Sequence, residues 1–201
     1  WNRQRQRLER SGIDGTGRRF YPLDPRPEDV TIEDIAHALS NVCRWGGRVR
    51  EFYSVAQHSV IVSHLVPEEL ALEGLLHDAS EAYLGDISSP LKRLLPEYQT
   101  IEKSLEAAIA AKFGLMFRAE LGWPSPVGRA DISALALEKK LLLPESKTPW
   151  SILEGVECPD ERLLHHCWQP LVAERRFLQR YNELTSAGVT AAREEPVAQA
   201  S

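Results

Sequence analysis

Apolar residues at helical spacing, in successive runs closed by glycine or proline, constrain this chain to a set of short helices. Ile32, Ile35, Ala36, Leu39 and Val42 recur at that spacing. Thr31, just before this run, and Asp34 within it resemble a capping box, so a first helix is predicted over 32–42. Ser54 caps a second helix to about Leu65. Pro67-Glu68-Glu69 opens a third, with acidic groups at its positive end, and Gly85 closes it. Ile101, Leu105, Ala108, Ile109 and Lys112 define a helix over 97–113 that stops at Gly114. Another runs from Val127 to Leu143 and is broken by Pro144. A final helical region covers 160–184, bent or restarted at Pro170. Strand is expected only at 44–53, where Gly46-Gly47 suits a short hairpin or tight loop. The fold class is therefore all-α, a single helical bundle over 20–187.

The ends read differently. Residues 1–19 are rich in Arg, Gln and Gly and are expected to form a weakly packed arm. Pro22, Pro25 and Pro27 give a rigid, extended entry to the bundle. The stretch 188–201 is expected to be a disordered tail.

A length of 201 residues fits one domain with a sizeable core. A net charge of -5 argues against a general binder of nucleic-acid polymers, although a local basic pocket for small phosphates is compatible with it. Cys43, Cys158 and Cys167 are an odd set without CxxC spacing, which suggests neither a disulfide framework nor a thiolate zinc site. With no apolar run of membrane-spanning length and no visible leader, the expected compartment is the cytoplasm, with no membrane partner.

The chemistry concentrates in the run LLHDASEAYLGD. His77, Asp78, Glu81 and Asp86 place a nitrogen ligand, an oxygen ligand and two further carboxylates within ten residues. On a helix the side chains of His77 and Asp78 would point about 100° apart and could share one divalent ion, with Glu81 one turn on. Two ligands rarely hold a catalytic ion, so further donors are required. His58 in YSVAQHSVIVS and Asp131 in GRADISALALEKK supply them from two other predicted helices.

Taken alone, His58 reads as a hydrogen-bonded histidine on a half-buried helix, and Asp131 as a carboxylate near a helix start. Their order changes that reading. A helical H, then HD with a glutamate four positions past the histidine, then a helical D about fifty residues on, resembles the HD-domain phosphohydrolases. The likeness extends to CRWGGRVREFYSVAQHS, HDASEAYLGDISSPLKRLL and Ile101-Glu102-Lys103. It covers roughly 21–143 and is nearest to HD-domain 5'-deoxynucleotidases and phage-type deoxynucleoside triphosphohydrolases that act on dATP.

The resemblance implies that His58, His77, Asp78 and Asp131 bind the metal. Two imidazoles and two carboxylates suit Mn, Co, Fe, Ni or Zn, with Mg conceivable as a second ion on the phosphates. Glu81 is then the candidate to orient or deprotonate the attacking water, and Asp86 to assist protonation of the leaving oxygen. Arg44 and Lys92 match phosphate-contacting cations, and Trp45 and Pro90 match positions near the base or sugar. Gly47 stands where the dATP-specific relatives carry a bulkier side chain. The implied reaction is hydrolysis of the 5' phosphoester of a deoxynucleoside mono- or triphosphate, in a homo-oligomer. Two alternatives stay open: a phosphohydrolase of another small metabolite or signalling nucleotide, and a regulatory module that binds metal and nucleotide without turnover. His37, His64, the His165-His166 pair and Trp123 are read as packing or surface residues.

Overall fold

The computed structural model describes residues 12–13, 17–118, 120–146 and 148–193. The chain is mainly helical, and its principal helices lie close to where the periodicity puts them. They are α1 (Ile32–Asn41), α2 (Val55–Leu65), α3 (Ala71–Leu76), α4 (Glu81–Leu84), α5 (Ser89–Lys92), α6 (Pro96–Phe113), α7 (Ser125–Leu142) and α8 (Pro170–Arg193). Local chemistry sets several ends. Thr31 Oγ1 accepts from the Asp34 amide at 3.3 Å, and Ser54 Oγ accepts from the Gln57 amide at 3.2 Å, which satisfies donors in the first turns of α1 and α2. Gly114 ends α6 in the left-handed conformation, φ 68°.

Helix α2 is the axis of the fold. Its residues from Val55 to Ser63 are all buried, on every side of the helix, so other elements must surround it. Val55, Ala56 and Val60 pack with Ile35 and Leu39 of α1, Leu75 and Leu76 of α3, Leu105 and Ile109 of α6, and Ala173 and Phe177 of α8. On the other side Ile61 and Val62 meet Ala134, Leu137 and Leu142 of α7, with Tyr53 and Leu164. The Arg180 guanidinium fastens α8 to the end of α2, donating to Ser63 Oγ at 3.1 Å and to the Ser63 carbonyl at 3.2 Å.

Four expectations need correction. The predicted third helix is interrupted: α3 stops at Leu76 and α4 starts at Glu81, so His77 and Asp78 lie in the turn between them. There the backbone bonds tighten, with the Ala79 amide on the Leu76 carbonyl at 3.0 Å and the Glu81 amide on the Asp78 carbonyl at 2.9 Å. The 44–53 segment forms no hairpin. Arg44–Gly47 is a 3-10 turn, and a single bridge, Cys43 to Ser54, closes the loop. The described ladder lies instead in the expected arm, where β1 (Gly12–Ile13) pairs antiparallel with β2 (Arg19–Phe20). Phe20 is buried there and stacks on Tyr83, ring centroids 4.2 Å apart. The last helix begins afresh at Pro170, as expected, after a 3-10 turn at Glu161–Leu164, but it runs past the expected end at 184 and into the stretch expected to be disordered, as far as Arg193. The rest of the predicted arm and tail, 1–11, 14–16 and 194–201, lies outside the described residues.

Candidate metal centre

Three parts of the chain converge beside α2. His58 projects from the middle of α2, His77 and Asp78 come from the α3–α4 turn, and Asp131 comes from the second turn of α7. His58 Nε2 lies 3.1 Å from Asp131 Oδ1 and 3.5 Å from Asp78 Oδ2. His77 Nε2 lies 3.2 Å from Asp78 Oδ2 and 4.0 Å from Asp131 Oδ1. The two imidazole rings are 5.3 Å apart at their centroids. The interruption of the helix lets Asp78 fold back over His77 instead of diverging from it.

The orientation of the rings bears on what they can hold. His77 Nδ1 donates to the Gly74 carbonyl at 2.9 Å; a carbonyl can only accept, so the proton is on Nδ1. His58 Nδ1 lies 2.6 Å from the Glu138 carboxylate. Both Nε2 atoms are buried and make no hydrogen bond of acceptable geometry. Two imidazoles anchored through Nδ1, with both Nε2 atoms turned to a common point, are the usual preparation for a metal ion. One ligand atom each from His58, His77 and Asp131 lie within 4.8 Å of one another, so these residues could hold such an ion. The histidines are 0% and 7% exposed, whereas the Asp78 and Asp131 side chains are 21% and 42% exposed, so the cluster opens on its carboxylate side.

The electrostatics favour a cation. Burial and Arg44 oppose a charge on His58, yet Glu138 and Asp131 outweigh them and lift its pKa to about 9. Burial opposes the charge on Asp78 too, but His77, His58 and Arg44 hold it well below the usual carboxylate range. Asp131 is likewise lowered, burial being overcome by His58 and His77. Glu81, the first residue of α4, behaves in the opposite way. It is 6% exposed, its Oε2 has no hydrogen-bond partner, and burial followed by Asp78 and Asp86 pushes its pKa well up. Asp86, after the Gly85 that ends α4, is also raised, chiefly by burial.

The expected substrate contacts are placed unevenly. Arg44 is at the centre: its Nη1 donates to Asp78 Oδ2 and its Nε to Glu138 Oε2, both at 3.3 Å. Trp45 follows it with φ 63°, the one non-glycine residue in the left-handed region among those described. Such a backbone costs on the order of 1–3 kcal/mol and persists where its surroundings hold it. Here the indole Nε1 donates to Glu138 Oε2 at 3.1 Å, and the ring packs against Trp150. Lys92 is drawn to Glu102, with Nζ 2.6 Å from Oε1, although its charge still influences Glu81 and Asp86. Pro90 is exposed in the first turn of α5. His64, His165 and His166 lie together on another face, beside Arg176 and Arg180.

Glu138 was not anticipated from sequence. It is fully buried on α7 and collects Arg44, Trp45, Tyr53 and His58 on its two oxygens. Its position seven residues after Asp131, two turns along the same side of α7, is the signal that could have revealed it.

Fold and site together define a helical protein with a buried histidine–aspartate cluster able to take a metal ion. No family model matches the chain. It is 42% identical to the uncharacterized protein YfdR of Escherichia coli over 171 residues, spanning 85% of this chain and 93% of that protein. It is 40% identical over 136 residues to an uncharacterized protein of Rhodobacter capsulatus, covering 63% of this chain and 67% of the relative. The chain belongs to the YfdR family.

Proposed function

We propose that the protein is an HD-domain phosphohydrolase that cleaves the 5' phosphoester of a deoxynucleotide. The observation that carries this reading is the pair of anchored imidazoles, His58 and His77, whose free Nε2 atoms meet Asp78 and Asp131. Asp78 is the fourth ligand in this proposal. It lies within 3.5 Å of both Nε2 atoms, and its low pKa keeps it anionic. When bound, a divalent ion such as Mn, Co, Fe, Ni or Zn would polarise the phosphoryl group and acidify water.

The remaining steps belong to the chain. Glu81 in its ionised form takes a proton from the attacking water as the water oxygen bonds to phosphorus, its unpartnered Oε2 being the acceptor; the charge of a bound divalent ion would lower the carboxyl that burial, Asp78 and Asp86 hold up. Asp86 in its protonated form delivers a proton to the 5' oxygen as the P–O bond breaks. Arg44, held against Asp78, supplies positive charge to the phosphate beside the ligands. Lys92 reaches the same phosphate only if it exchanges Glu102 for it. Monophosphates would release orthophosphate, and triphosphates cut at the same bond would release triphosphate. We place the enzyme in the cytoplasm, on its unpaired cysteines, and take it as a homo-oligomer, on the resemblance.

The test is a panel of deoxy- and ribonucleotides at each phosphorylation state, with other small phosphoesters, assayed with Mn, Co, Zn and Mg. Release from deoxynucleotides is expected. Absence of phosphate and triphosphate release from every member would refute an enzymatic role, and turnover of the other phosphoesters alone would move the substrate class.

A further inference from the structure

Glu138 is charged, fully buried and outside the ligand set, and a lone carboxylate in that position would cost several kcal/mol. Its surroundings offset that cost in a specific way. Oε1 accepts from Tyr53 Oη at 3.0 Å and faces His58 Nδ1 at 2.6 Å, while Oε2 accepts from Trp45 Nε1 at 3.1 Å and Arg44 Nε at 3.3 Å. Each oxygen thus serves two donors. A carboxylate is the side-chain group that can accept from all four; the amide of glutamine would turn donors toward one pair of them.

We propose that Glu138 is a positioning residue of the metal centre: by accepting a hydrogen bond from His58 Nδ1–H it aims Nε2 at the ion and strengthens it as a ligand, and through Trp45 and Arg44 it ties the 44–47 loop to that ligand. This rests on the metal-centre reading above. A carboxylate behind a ligating histidine fixes its tautomer and raises its basicity, and loss of such a partner weakens metal affinity by about 10–100-fold. The His77 partner is a backbone carbonyl that no substitution can remove, so His58 is the ligand whose orientation depends on a side chain.

The experiment titrates Mn²⁺ into the metal-stripped full chain by calorimetry, comparing wild type, Glu138→Gln and Tyr53→Phe. Glu138→Gln is expected to weaken the Mn²⁺ Kd about 10–100-fold. Tyr53→Phe removes one hydrogen bond of Glu138 but leaves His58 engaged, and is expected to stay near the wild-type Kd. An unchanged Kd in Glu138→Gln would overturn the proposal, as would equal losses in both variants, which would make Glu138 a packing element. A second measurement does not depend on the variants folding: ¹⁵N NMR of the histidine rings in the Zn²⁺-loaded wild type. A His58 protonated on Nδ1 and coordinated through Nε2 is expected, and coordination through Nδ1 would overturn the proposal. Wild type that binds neither Mn²⁺ nor Zn²⁺ would instead remove the metal-centre reading and this inference with it.

Discussion

Replacing Gly74 by alanine sets helix propensity against packing, and the structure gives the two opposite signs. Gly74 lies in α3, where alanine would ordinarily stabilise by about 0.5–1 kcal/mol. A Cβ on Gly74, however, would sit 3.0 Å from Val66 Cγ2, 3.1 Å from Ser63 Cα and 3.2 Å from the Val62 carbonyl oxygen. The last two atoms are backbone of α2 and cannot rotate away, so α3 must retreat by a few tenths of an ångström. Overpacking of this kind costs about 1–3 kcal/mol, which leaves a net loss of up to about 2.5 kcal/mol. For a chain of this size that lowers Tm by up to about 10 °C. The retreat also carries the Gly74 carbonyl that orients His77, so Mn²⁺ affinity should fall together with stability. Differential scanning calorimetry and Mn²⁺ titration of Gly74→Ala measure both. Adding Val66→Ala removes the 3.0 Å contact alone and should restore only part of the loss. A rise in Tm with unchanged metal affinity would refute the idea that the absence of a side chain at position 74 sets the α2–α3 spacing.

Asp78→Ala should abolish turnover and reduce bound metal, whereas Glu81→Ala should retain the metal and lose about 10²–10⁴-fold in rate. Elemental analysis after dialysis, paired with the phosphate-release assay, separates the two, and full activity in Asp78→Ala would sink the ligand assignment. Glu106 gives a pH dependence outside the ligand set. Burial, then Glu102, raises its carboxyl to about 7, although the Trp123 indole donates to it at 3.2 Å. A carboxyl raised in the folded state stabilises fully below its unfolded pKa and loses that contribution as pH rises toward 7. Wild type and Glu106→Gln should therefore be equally stable near pH 4.5. By pH 8 the variant should be ahead by about 3 kcal/mol, or about 6–12 °C in Tm. Parallel Tm profiles for the two proteins would refute it.

Helix positions were legible because their signals are local. Thr31 and Ser54 cap as their side chains permit, and Gly85 and Gly114 end helices at φ 78° and 68°. The convergence of His58, His77 and Asp131 was implied by the family resemblance that their order carries, although His77 lies in a turn rather than on the expected helix. What escaped depends on contacts between segments far apart in sequence. The helical pattern through LLHDASEAYL does not reveal the tightened turn at 77–80. Lys92 has a partner in Glu102 only because α5 packs on α6. Arg44 turns to Asp78 and Glu138 because α2, the α3–α4 turn and α7 bring those carboxylates together. Glu138 had a legible position on α7, but its importance comes from the loop that folds over it.

The place of α8 in the bundle bears on the order in which the protein matures during synthesis. Ala173 and Phe177 fill the side of the core shared by α1, α2 and α3, and Arg180 clamps the end of α2. A nascent chain that has reached Leu142 already contains His58, His77, Asp78, Asp131 and Glu138, but still lacks the wall that covers their central helix. At about 5–20 residues per second, α8 follows only seconds later. Until it emerges, Val55, Ala56 and Val60 stay partly open to water, and the protein completes its core with α8 rather than with the earlier segments that carry the chemistry.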